Sequence, residues 1–112
     1  MMNNVEIYSH SFDGFRVMLE SGEWKIGLLG YNERFSAFTE MEKHLLTDEV
    51  FVLLEGEATL YTDTEQCVME RLKVYNIPKG VWHHIVVSRE TKVLVVENRN
   101  TSKDNTEKKS LT

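Results

Sequence analysis

The stretch MEKHLLTDEVFVLLEG, Met41 to Gly56, decides how this chain is read. Its second half, VFVLL, is a short run of β-branched, aromatic and aliphatic residues, which favours a strand. Its first half sets Glu42 two residues before His44, and Glu49 five residues after it. On an extended strand, side chains two apart point to the same side and stand about 6.6 Å apart. Glu42 and His44 therefore share a face if the segment is extended, and one ion held at about 2.0 to 2.2 Å from each fits between them after modest adjustment. Glu49 joins from the next strand if LLTD forms a turn or bulge.

The same style of segment recurs on both sides. WKIGLLGY (Trp24 to Tyr31) reads as one strand whose glycines mark a close approach or a bend. EVFVLLEGEATLYT reads as two strands around EGE, or as one strand bent at Gly56. CVMERLKVYNI, VWHHIVVS and TKVLVVEN follow turn signals at DTEQ, PKG and RE. FRVMLESG fits a strand or a short helix equally. Short strands with tight breaks indicate an all-β sandwich or barrel. The expected organisation is one domain over residues 1–98, including an N-terminal arm, then a polar tail, 99–112, that buries little and frays at least beyond Asp104.

Composition excludes several classes. With 112 residues the chain has room for one core. Eighteen Asp and Glu against 13 Lys and Arg give a net charge of −5, and no basic stripe follows any element, so nucleic acid is not an expected partner. One cysteine, Cys67, excludes an intrachain disulfide and a four-thiolate zinc site, and reads as a packing residue. No run approaches the roughly 20 apolar residues that cross a bilayer, and the first residues lack a signal-peptide pattern. The expectation is a soluble cytoplasmic protein with no membrane partner. VFVLL and IVV are apolar on both faces of a strand, and a second copy of the sheet is the simplest cover for the outer face, so a homodimer is expected.

Three of the four histidines bear on chemistry, since His10 has no informative neighbour and reads as a surface residue. His83 follows the turn set by Pro78 and Gly80 and can join Glu42, His44 and Glu49. His84 points the opposite way on that strand, so only one of the two can share the site. Imidazole and carboxylate together suit divalent first-row metals, and two histidines with a carboxylate are the pattern of open Fe(II) centres. Solvated strand-end glutamates and a hydrogen-bonded histidine fit the same spacing, which leaves both readings open.

At these residues the chain resembles the cupin superfamily, small double-stranded β-helix barrels of jelly-roll type. The first cupin motif, a histidine, a short gap, a glutamate, six residues and a glycine, matches His44, LLTD, Glu49, VFVLLE and Gly56. The second, proline, any residue, glycine, two residues and histidine, matches Pro78, Lys79, Gly80, VW and His83. The resemblance implies metal ligands at His44, Glu49 and His83. It departs from the family pattern in placing Glu42 where a further histidine is usual, Leu72 where a glycine is, and Val87 where an asparagine is. Glu42 then serves as a fourth ligand or as a catalytic base, and the His2Glu2 set favours Mn, Fe, Zn or Ni as the divalent ion. Two carboxylates in one empty pocket predict a raised pKa for Glu42 or Glu49.

The implied function is a small metal-binding cupin acting on a small polar metabolite as an isomerase, decarboxylase or dioxygenase. The alternative is a non-catalytic cupin that binds or senses a small ligand without metal. Tyr31, Trp24, Tyr75 and Trp82 are candidates for aromatic walls or for ordinary core and interface positions, and Lys79 is a candidate partner for a substrate carboxylate.

Overall fold

The computed structural model describes residues 4–112. Ten strands form: β1 (Phe15–Ser21), β2 (Trp24–Gly30), β3 (Glu40–His44), β4 (Glu49–Glu55), β5 (Ala58–Thr62), β6 (Gln66–Val68), β7 (Val74–Ile77), β8 (His83–Val87), β9 (Lys92–Asn98) and β10 (Thr106–Ser110). They make two five-stranded sheets, ordered β1-β2-β9-β4-β7 and β10-β3-β8-β5-β6, in which neighbouring strands pair antiparallel. This is an all-β, two-sheet jelly-roll fold consistent with a double-stranded β-helix. No helix among the described residues is long and apolar enough to cross a membrane.

Alternation along each strand builds the core. Phe51 and Leu53 of β4, Val93 and Val95 of β9, Ile85 and Val87 of β8, and Leu60 of β5 turn inward and are buried together. The segment FRVMLESG is a strand, β1, with a bulge between Val17 and Leu19. The glycines of β2 do mark close approaches: a methyl group on Gly27 would overlap the Phe15 ring, and one on Gly30 would overlap the Phe12 carbonyl. Cys67 packs half-buried against the core as a free thiol.

Two segments differ from their sequence reading. CVMERLKVYNI is divided between β6 and β7, which lie in different sheets, and the chain crosses over through Leu72 at φ 64°. The polar stretch after Asn98 is not frayed. Ser102 and Asn105 form a capping box around the 3-10 turn Lys103–Asn105, and β10 then pairs along the whole of β3, from Thr106 opposite His44 to Ser110 opposite Glu40. An edge strand is held by main-chain hydrogen bonds and needs no apolar pattern, and lysines on such an edge discourage pairing with other chains.

Candidate metal centre

The two motifs are joined before any side chain reaches the cavity. The Gly80 N–H donates to the His44 carbonyl at 2.7 Å, and Asp48 accepts from the Lys79 N–H at 2.9 Å and from the Asn76 amide at 3.1 Å. Those two bonds hold the Asp48 carboxyl below its usual range. The PKG turn is thereby docked on the HLLTDE turn, which sets where β8 starts and so where His83 points.

Glu42, His44, Glu49 and His83 converge, with one donor atom from each lying within 4.8 Å of all the others. Glu49 Oε1 is 3.0 Å from His44 Nε2 and 2.9 Å from His83 Nε2, and Glu42 Oε1 is 3.7 Å from His44 Nε2. Neighbouring donors around an ion bonded at about 2.0 to 2.2 Å stand about 2.8 to 3.6 Å apart, so these three spacings are close to those of a ligand set, and the wider pairs, up to 4.8 Å, have to close further. His83, His44 and Glu49 are buried, and Glu42 is half-buried.

The far ring nitrogens fix both tautomers. His83 Nδ1–H donates to the Val81 carbonyl at 3.0 Å. Thr106 gives its hydroxyl proton to the Ser102 carbonyl at 2.7 Å, so its oxygen accepts from His44 Nδ1–H at 2.8 Å. Each neutral imidazole then aims an Nε2 lone pair at Glu49, as orienting partners of metal-ligating histidines do. Lone pairs facing a carboxylate repel unless a cation stands among them, either a proton or a metal ion. The donor set and the oriented rings fit a divalent ion, so this is a His2Glu2 cluster capable of metal coordination.

The electrostatics differ from the sequence expectation. Burial alone would raise Glu49, but hydrogen bonds and charge from His44 and His83, when a proton rather than a metal ion stands at Nε2, outweigh it and hold the carboxyl well below the ordinary range. For His44, burial is likewise outweighed by the hydrogen bond and charge of Glu49, and its pKa rises. The raised carboxyl is a residue that the spacing argument did not name. Glu97, on β9 directly opposite Glu49, is pushed up to about 8, chiefly by burial and then by the charge of Glu49 and a hydrogen bond with it. On its other side stands Lys25 of β2, with Nζ 3.7 Å from the Glu97 carboxyl and 2.7 Å from the Thr101 carbonyl.

Arg34 was missed as well. It sits within the 3-10 turn at Glu33–Phe35 and donates to Glu42 Oε2 at 2.8 Å and to Glu40 at 3.2 Å. No local spacing marks Arg34 or Thr106. Glu97 did carry a signal, since Val93, Val95 and Glu97 alternate and so face inward together.

The other candidates do not join the cluster. His84 turns away from His83, bonds the Arg34 carbonyl at 3.1 Å and stacks on Phe35, so that it borders the cavity without joining the four converging residues. His10 lies beside Phe12 and does not line the cavity. Neither do Tyr31, Trp24, Tyr75, Trp82 or Lys79; Tyr31 and Tyr75 pack on the core, and Trp82 lies under Lys43 and Lys109. The aromatic walls of the cavity of about 220 Å³ are Phe15, Phe35 and Phe51.

No family model and no curated protein matches the sequence. Among solved structures, it is 28% identical to a cupin-2 domain containing protein from Shewanella frigidimarina, over 77% of this chain and 80% of that one, with a TM-score of 0.65. It is 19% identical to a cupin superfamily protein from Desulfitobacterium hafniense, over 73% and 72%, with a TM-score of 0.58. A Streptomyces nucleoside dehydratase, solved with uridine, shares the fold at 9% identity, over 97% and 93%, with a TM-score of 0.72. With both motifs joined at one end of a two-sheet jelly roll, and with these similarities, the chain has a cupin-superfamily fold, small, β-rich and single-domain, related to cupin-2 domain proteins.

Proposed function

We propose that this cupin holds a divalent transition ion, Mn, Fe, Zn or Ni, through His44, Glu49 and His83, and acts on a small polar metabolite as an isomerase, decarboxylase or dioxygenase. The observation that carries this reading is the pair of imidazoles whose Nδ1–H groups are both engaged, so that both Nε2 lone pairs meet at one carboxylate. A bound ion would supply Lewis acidity toward an oxygen of the substrate and acidify bound water.

The residues around it divide the remaining work. Glu49 is buried between the two imidazoles and its pKa is held low, so it stays ionised, which suits a permanent ligand. Glu42 is more exposed and is shared between Arg34 and the cluster, so it is either a fourth ligand or a base that carries a proton between substrate and solvent. Phe15, Phe35 and Phe51 limit water in the cavity and strengthen each charge interaction there.

A second reading is a ligand-binding cupin without metal. It is favoured by the raised pKa of His44, because an imidazolium against Glu49 satisfies the cluster with a proton alone. Elemental analysis of tag-free protein separates the two, repeated on Glu42→Ala. About one equivalent of transition metal, weakened in the variant, supports the first. Protein that stays metal-free after incubation with these ions overturns it.

The homodimer expected from the two-faced strands is part of the same proposal. Leu28, Leu94 and Val52 stand in one row across the outer face of the first sheet, with Ile26, Val96 and Val50 in the next, all half-exposed in the single chain. Light scattering at twice the chain mass, reduced to one by Leu94→Glu, tests it.

A further inference from the structure

The cavity carries more positive charge than its cluster accounts for. Each of its three carboxylates already has a basic neighbour: Glu97 faces Lys25, Glu42 takes Arg34, and Glu49 lies between the imidazoles. Two further lysines line the same cavity, Lys103 and Lys108. Neither makes an ion pair with a carboxylate among the described residues. Any divalent ion would add to the excess, although the chain as a whole has a charge of −5.

Both lysines are placed by the fold. Lys108 of β10 stands directly opposite Glu42 of β3, which stands opposite His83 of β8, so the three form one cross-strand row on the cavity side. Lys103 sits in the 3-10 turn before β10, held by the capping box and by Asn105, whose amide donates to the Asn100 carbonyl at 2.7 Å. Lys109, one residue further along β10, points the other way, with its amine 4.4 Å from the Trp82 ring centre.

We propose that the cavity selects a small organic acid, whose carboxylate is met by Lys103 and Lys108 while the rest of the molecule extends toward His44, Glu49 and His83. This rests on reading that cluster as the functional centre. A cavity of about 220 Å³ restricts the acid to a few carbons. A phosphoryl group is less suited, because such groups are held by converging backbone N–H groups at helix N-termini and glycine-rich turns, and no glycine lines this cavity.

The test is calorimetric titration at low salt of the protein as purified. The probes are the carboxylates from acetate to adipate, succinamide as a neutral counterpart of succinate, and inorganic phosphate. The proteins are wild type, Lys103→Gln/Lys108→Gln and Lys109→Gln. The expected result is that at least one acid binds, that succinamide does not, and that the double variant binds about ten-fold or more weakly with unchanged metal content. Lys109→Gln should bind as wild type does. The proposal is overturned if no acid binds wild type, if the double variant binds equally well, if succinamide matches succinate, or if phosphate binds more tightly than every acid. Lysine-dependent acid binding by protein that takes up no metal would retain this inference while removing the metal reading above.

Discussion

The two ends of the barrel are built from the same strands and carry opposite chemistry. Along the inner face, β4 runs Glu49, Phe51, Leu53; β9 pairs with it as Glu97, Val95, Val93; and β8 runs His83, Ile85, Val87. Along these rows one end is ionisable and the other apolar, and both are buried. The difference lies in partners. At the first end each charge meets another group: Glu49 has two imidazoles, Glu97 has Lys25, and Lys25 has the Thr101 carbonyl. At the other end Leu53 and Val93 pack among apolar side chains, and the nearby buried hydroxyl of Thr91 is already hydrogen-bonded to the Glu57 backbone and to Ser88. Burial therefore does not by itself exclude ionisable groups from this fold, but unpartnered burial does.

Moving a charge to the apolar end breaks that pattern most severely. Leu53 is 1% exposed, and Leu53→Asp is expected to cost about 4 kcal/mol or more, enough to unfold a domain whose whole stability is of the order of 5 to 15 kcal/mol. Loss of the cooperative thermal transition is the expected readout, and an unchanged melting temperature would show that the apolar end can accommodate a charge after all.

Removing a partner at the ionisable end has a smaller and different effect. His83→Ala should abolish metal retention while leaving the fold intact, because Ile85 and Val87 hold β8 in the core without it. Added metal at about 100 times its dissociation constant should stabilise wild type by about 2.7 kcal/mol and the variant by almost nothing, read as a shift in melting temperature. A full equivalent of metal in the variant would mean that His83 is not a ligand.

Legibility in the sequence follows the same division. The apolar inner face and the strands could be read from short β-branched runs, and the four converging residues from motif spacing, because both signals are local. Glu97 was half legible: alternation with Val93 and Val95 placed it inside, but only the β4–β9 register shows that it faces Glu49. Arg34 and Thr106 reach the site from a turn and from the last strand, more than 60 positions apart in the chain, and no local pattern connects them. The C-terminal strand was misread because composition reports side-chain burial, whereas β10 is held through its backbone.

Titration isolates Glu97 from the rest of the ionisable end. Its carboxyl rises from 4.5 to about 8 on folding. A group raised in this way contributes stability that is fully present below its unfolded value and is lost as pH rises through its folded one. In chelated, metal-free protein, the melting temperature should therefore fall between about pH 4.5 and 8, and Glu97→Gln, which cannot ionise, should remove that component of the slope. The raised pKa of His44 acts in the same sense above its ordinary value and remains in the variant, so the difference between the two curves reports on Glu97. Parallel curves would mean that Glu97 is ionised throughout.

The smallest effect belongs to the apolar end, and it improves the protein. Leu72 adopts φ 64°, a left-handed conformation, where the cupin pattern has glycine. Its N–H donates to the Leu53 carbonyl at 3.0 Å, so the strained turn is anchored to the most buried residue of β4. A side chain in this conformation costs about 1 to 2 kcal/mol, and glycine's extra freedom in the unfolded chain returns about 0.5 to 1 kcal/mol of that. Leu72→Gly should therefore stabilise the domain by about 0.5 to 1 kcal/mol, a rise of a few degrees in melting temperature. Leu72 is 78% exposed in the single chain and lies near the exposed Val74, so no packing within the chain offsets the gain. A fall in melting temperature would mean instead that Leu72 is buried against a second copy. The strain at this turn would then be maintained by an interface, and the apolar end of the barrel would extend beyond its own chain.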